Sequence, residues 1–248
     1  MKKVCLITMV IVIGSAAQAG QSDGVGKLIG ALGSVMADAK MRRQIASVSQ
    51  PLVYDSRVPS AVAGDVNDPR NMSIAGLKLG MSIVQAQSVL QRSGFTITES
   101  SKEYSFAMRV LPDLSASLPM DVRSISANGR NQQSVQIKFA SLPEGAIIDR
   151  VEFTIADDTM TKEAFLDQLR NRYGEADLAE SDDLVWCIKV DGTCAPDGGW
   201  GRQPHLRASP RWRTIQLVFV DGARDDALEA RVKEIRENRK PKVEQADF

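Results

Sequence analysis

Three runs in the middle of the chain alternate apolar and polar residues with a period of two: 122–127 (VRSISA), 135–140 (VQIKFA) and 147–155 (IIDRVEFTI). This period builds strands with one face on a core and the other on water. Pro143-Glu144-Gly145 turns the last two runs into a hairpin. An apolar sheet face needs a second layer, and two helical segments can supply it. Ser82 and Gln85 form a capping box opening a helix that ends near Arg92 and buries Ile83, Ala86, Val89 and Leu90, with Gly94 as its stop. A second helix spans about 161–172, with Phe165, Leu166 and Leu169 as its inner stripe and Gly174 as its stop. The pattern predicts an α+β fold, an antiparallel sheet with short helices packed on one face.

The rest of the chain is read around that frame. Residues 95–98 form a strand, 99–102 a turn, 103–110 a second strand and 111–120 a Pro-bounded loop. Further strands are expected at 184–190 and 213–220. A charged helix at 223–238 has a narrow stripe of Leu228, Val232 and Ile235, and Glu229 and Lys233 can pair one turn apart. Residues 49–75, with Pro51, Pro59, Pro69 and no sustained period, read as a linker. Residues 20–48 read as an N-terminal Gly-rich helix in which Gly26, Gly30 and Ser34 form a row of small side chains. It is either a loosely held helix or one that docks on a partner or surface.

The two helix ends match at an offset of 80 residues: Gln91-Arg92-Ser93-Gly94-Phe95 against Asn171-Arg172-Tyr173-Gly174-Glu175. The divisions are then a first α+β unit at 76–156, a second at 157–222, and a charged C-terminal helix and tail at 223–248. Two tandem helix-plus-hairpin units fit this spacing, as does chance, since Gly ends many helices. The segment Gly76-Leu77-Lys78-Leu79-Gly80-Met81-Ser82 leading to Gly94-Phe95, and Phe165-Leu166 through Leu169 to Tyr173-Gly174 and then Trp186, carry a resemblance. Together they resemble bacterial envelope modules of tandem helix-plus-hairpin fold, similar to the β-lactamase inhibitor protein and the small outer-membrane assembly lipoproteins. The resemblance implies a non-catalytic protein-binding module. It departs from the lipoprotein members in lacking an anchoring Cys at the expected leader cleavage point.

The first residues read as an address. Met1-Lys2-Lys3, a ten-residue apolar run at 4–13 and the small residues up to Ala17-Gln18-Ala19 form a secretory signal peptide at 1–19. The apolar run is too short for a membrane span, and no later segment of the mature chain is apolar enough for one. Cleavage after Ala19 leaves 229 of the 248 residues, with 29 basic against 31 acidic side chains. Two Cys remain in that mature chain, Cys187 and Cys194. In an exported protein an even pair reads as a disulfide, and the expected setting is periplasmic or secreted.

The chain as a whole is uncharged, with 31 basic and 31 acidic residues, which argues against nucleic acid as a partner. A single His excludes a multi-His metal site, and no phosphate-loop, dinucleotide, zinc-protease or serine-hydrolase motif is present. No cofactor is therefore expected. His205 reads as a surface residue, and the pairs Asp157-Asp158, Asp182-Asp183 and Asp225-Asp226 read as turn and helix-end chemistry. The segment 186–213 is the most unusual, a long positive loop based on Cys187 and Cys194. Its candidate binding residues are Trp200, Arg202, His205, Arg207, Arg211, Trp212 and Arg213, since Trp and Arg dominate interface hot spots. The expected function is an exported, non-catalytic interaction module of the bacterial cell envelope. It would bind a protein or envelope component through this loop or an open sheet face. The alternatives are a periplasmic hydrolase or other envelope enzyme, and a structural assembly component docking through residues 23–48.

Overall fold

The structure, a computed structural model, describes residues 39–56, 65, 67–156, 158–180, 183–189, 192–194, 203–218 and 222–239. The leader expected at 1–19, most of the Gly-rich helix expected at 20–48, Trp200, Arg202 and the tail beyond 239 lie outside the described residues. The chain divides into two units, Met1–Arg43 and Gln44–Phe248. Described residues of the first are 39–43, which are helical; this helix, α1, runs over 39–48. The fold that follows is that of the second unit.

Its central element is one antiparallel sheet of eight strands in the order β1-β2-β3-β4-β8-β7-β6-β5. A first meander comprises β1 (Thr96–Glu103), β2 (Asp121–Asn128), β3 (Ser134–Leu142) and β4 (Gly145–Thr154). A second comprises β5 (Leu178–Glu180), β6 (Asp183–Cys187), β7 (His205–Ser209) and β8 (Thr214–Val218). Each meander follows a helix, α2 (Ile83–Arg92) or α4 (Lys162–Tyr173). The second meander runs across the sheet in reverse, so the last strands of the two halves meet and β4 pairs with β8. The halves that the Arg-x-Gly spacing suggested thus share one continuous sheet.

Register explains how the core is filled. Ile125, Ile137, Val151, Leu217, Leu206 and Trp186 stand opposite one another in a single row across six strands. All six are buried. A parallel row of Ala127, Val135, Phe153, Ile215, Ala208 and Leu184 runs beside it. Ala86, Val89 and Leu90 of α2 and Phe165, Leu169 and Tyr173 of α4 join the same cluster, so both helices cover this one face. The caps follow the sequence. Ser82 and Gln85 close a reciprocal capping box, Thr161 caps α4, and Gly174 ends it at φ 76°. That left-handed conformation favours glycine.

Three expectations are corrected. Residues 99–102 are not a turn: β1 is continuous and absorbs two register shifts against β2. Its side chains are almost all exposed, so no apolar alternation marks it. Nor do residues 103–110 form a strand. Ser105 caps a short helix, α3 (Phe106–Val110), followed by a 3-10 turn at Pro112–Ser117. Finally, the stretch 49–75 is not linker throughout. Met72 and Ile74 enter the main core, and the Ser73 carbonyl accepts from Tyr173 Oη at 2.9 Å and Arg172 at 3.0 Å.

A second, smaller core holds Val48, Phe106, Met108, Val110, Leu111 and Leu118. Leu228, Val232 and Ile235 of α5 (Gly222–Asn238) pack against it, which is the stripe the sequence marks. The N-terminal turn of α5 is tied to the sheet by Arg224, whose Nη2 lies 2.9 Å from Asp149 Oδ1 on β4.

Candidate binding surface

The face of the sheet turned away from α2 and α4 carries polar rows. Ser126, Gln136, Glu152, Gln216 and Arg207 stand opposite one another from β2 to β7, and Ser124, Lys138, Arg150, Val218 and His205 form the next row. Over β2, β3 and β4 these side chains are exposed or half-buried. Toward β7 and β6 the face closes, with Val218, His205, Val185 and Cys187 all buried. Within the open part Glu152 accepts from Gln216 Nε2 at 2.5 Å.

The segment expected to be one long loop contains β7. Pro204 and Pro210 bracket its five residues, which hid it in the sequence. This strand places His205 and Arg207 two residues apart on the polar face. His205 is a buried residue, not a surface one: it is 6% exposed, between Cys187 and Val218 in the register, and its Nδ1–H donates to the Gln203 carbonyl at 2.9 Å. Arg207 Nε lies 3.2 Å from Asp183 Oδ2, while Ser209 Oγ donates to Asp183 Oδ1 at 2.5 Å. Both candidates therefore serve the sheet. Cys187 and Cys194 form the expected disulfide, with Cα atoms 5.9 Å apart.

Arg211, Trp212 and Arg213 belong to the β7–β8 turn. Its geometry is fixed from several sides. Trp212 N–H donates to the Ser209 carbonyl at 3.1 Å, Arg213 Nε to the Met160 carbonyl at 2.6 Å, and Ile155 N–H to the Arg213 carbonyl at 3.2 Å. Arg213 holds a left-handed φ of 48°, so these bonds constrain a backbone that a long side chain rarely adopts. On this held turn Trp212 is 62% exposed, and the Arg211 guanidinium lies 5.0 Å from its ring centroid. The structure brings Arg211 and Trp212 together in solvent and uses Arg213 as their anchor.

A cleft of about 460 Å³ lies on the helix side, lined by Phe95, Phe153, Ile155, Met160, Phe165 and Tyr173 among others. Among the described residues no group of three or more His, Cys, Asp or Glu side chains is placed to hold a metal ion. No described helix is long and apolar enough to cross a membrane. The comparisons with known proteins return no matching family model, no similar curated protein and no similar solved structure.

Proposed function

We propose that this chain is an exported, non-catalytic interaction module of the cell envelope. It binds a protein partner through the β7–β8 turn and the neighbouring open sheet face. The observation that carries the reading is Trp212, a large aromatic held in solvent by a turn tied through the Arg213 carbonyl to Ile155, just past β4, and through the Arg213 side chain to Met160, ahead of α4. An exposed Trp on a rigid turn loses little entropy on binding and fits an interface anchor, with Arg211 already stacked on it. The leader-like 1–19 segment and the Cys187–Cys194 disulfide support export. The tandem halves are in keeping with the envelope binding modules that the sequence resembles.

The test is site-specific photo-crosslinking from position 212 of the full chain in its native envelope. The expected result is one discrete protein adduct that is identified, then lost from a pull-down with the R211A/W212A variant, whose thermal stability stays near wild type. Diffuse adducts, or an adduct unaffected by R211A/W212A, sink the reading.

A further inference from the structure

We propose that the centre of the open face, at Lys138 and Arg150, receives the carboxylates of an acidic protein surface. This rests on the interaction reading above and adds the chemistry of the partner.

Lys138 and Arg150 stand directly opposite each other on β3 and β4. Like charges at opposed positions of an antiparallel pair destabilise it. Lys138 is exposed and Arg150 half-buried, and among the described residues neither side chain makes a hydrogen bond or ion pair. Nearby acids are already engaged: Glu152 takes the Gln216 amide, Asp183 takes Arg207 and Ser209, and Asp149 takes Arg224. Two cations are thus left facing solvent in the middle of a face whose own acids are occupied. Asp149 attracts Arg150 but is itself paired with Arg224, and among the described residues no carboxylate forms an ion pair with either cation, so an external anion would relieve their repulsion further. The face also carries Glu152 in the adjoining row and Glu99 on β1, opposite Ser126. A uniformly anionic surface, such as a bilayer or a duplex, would meet those acids as well. A protein presenting carboxylates at one place avoids them, and complementary charge of this kind sets orientation and association rate.

The probe is fluorescein-labelled poly-L-glutamate, titrated into the full chain and followed by anisotropy. The expected result is binding that weakens with added salt and falls by about tenfold or more in K138Q/R150Q, while K78Q/R92Q, which removes the same charge on the α2 side, binds as wild type. The charge reversal K138E adds a second readout. It should raise the melting temperature by replacing repulsion with an opposed ion pair, and lose the probe as well. An equal loss in K78Q/R92Q, no binding by wild type, or a lowered melting temperature in K138E overturns the assignment. So does binding of phosphatidylglycerol vesicles that K138Q/R150Q abolishes, which would make the ligand a membrane. If the crosslink from position 212 holds while the probe results fail, the interaction reading stands and only this assignment falls. If the probe results hold and the crosslink fails, the reading through the turn is sunk, and the face stands only as a surface that binds carboxylates.

Discussion

Asp149 is the residue that the β3–β4 register skips, and it carries the bond that ties α5 to the sheet. Burial pushes its carboxyl above the ordinary carboxylate range, despite the Arg224 guanidinium beside it. A carboxyl whose folded-state pKa is raised binds its proton more tightly in the folded chain. Its contribution is therefore fully present below the ordinary value of 3.8 and is lost as pH rises through the higher folded-state value. The variant Asp149→Asn cannot ionise. Its stability relative to wild type should improve as pH is raised from about 3.8, measured as paired denaturant midpoints at each pH. A relative loss over that window would show that the pairing with Arg224 outweighs burial. Gly129 illustrates a different constraint at the same scale. A Cβ there would come within 2.7 Å of Phe95 Cε1, in a core where Phe95 is 9% exposed. Gly129→Ala should cost about 1–3 kcal/mol in chemical unfolding, with the Phe95 ring forced off its rotamer.

At the scale of elements, the helix ends were the most legible part of the sequence. The Ser82 box, the Thr161 cap and Gly174 are local chemistry, complete within a few residues. Ser82→Ala should cost about 1 kcal/mol by the same denaturant measurement, since the Gln85 amide N–H loses its acceptor. The strands divide by how they are held. β2, β3 and β4 each bury one face, and their alternation is visible in the residues. β1 is an edge strand of mostly exposed Thr, Ser, Glu and Lys, kept in place by pairing with β2 alone, so its Glu-Ser-Ser-Lys reads as a turn. β5 has three residues, too few for a period to emerge, and β7 lies hidden between Pro204 and Pro210. The candidate site was legible to the same extent. Trp212 and Arg211 could be picked out by type, but the burial of His205 and the opposition of Lys138 to Arg150 depend on register between distant segments. The disulfide was legible from the even pair of cysteines left after the expected leader, and it closes a short loop. Changing both Cys187 and Cys194 to Ser should lower stability by about 2–3 kcal/mol, read in unfolding of the oxidised wild type against the variant.

At the scale of the molecule, the two helix-plus-meander halves are joined through β4 and β8, and the buried row from Ile125 to Trp186 crosses that seam without a break. Val151 and Leu217 face each other at the junction, and both are fully buried. The helices of the two halves share the main core: α2 and α4 feed one cluster, and Tyr173 of α4 reaches back to the Ser73 carbonyl ahead of α2. Two halves built this way should unfold together. Trp186, 5.8 Å from the Tyr173 ring, sits in the second half, while far-ultraviolet circular dichroism sums over both. Denaturant curves from Trp fluorescence and circular dichroism should therefore coincide in the full chain. Leu217→Ala leaves a cavity at the seam and should shift both curves together by about 2–5 kcal/mol. Two separated transitions, with fluorescence lost before circular dichroism, would mean that each half holds its own stability and that the continuous row is not what couples them.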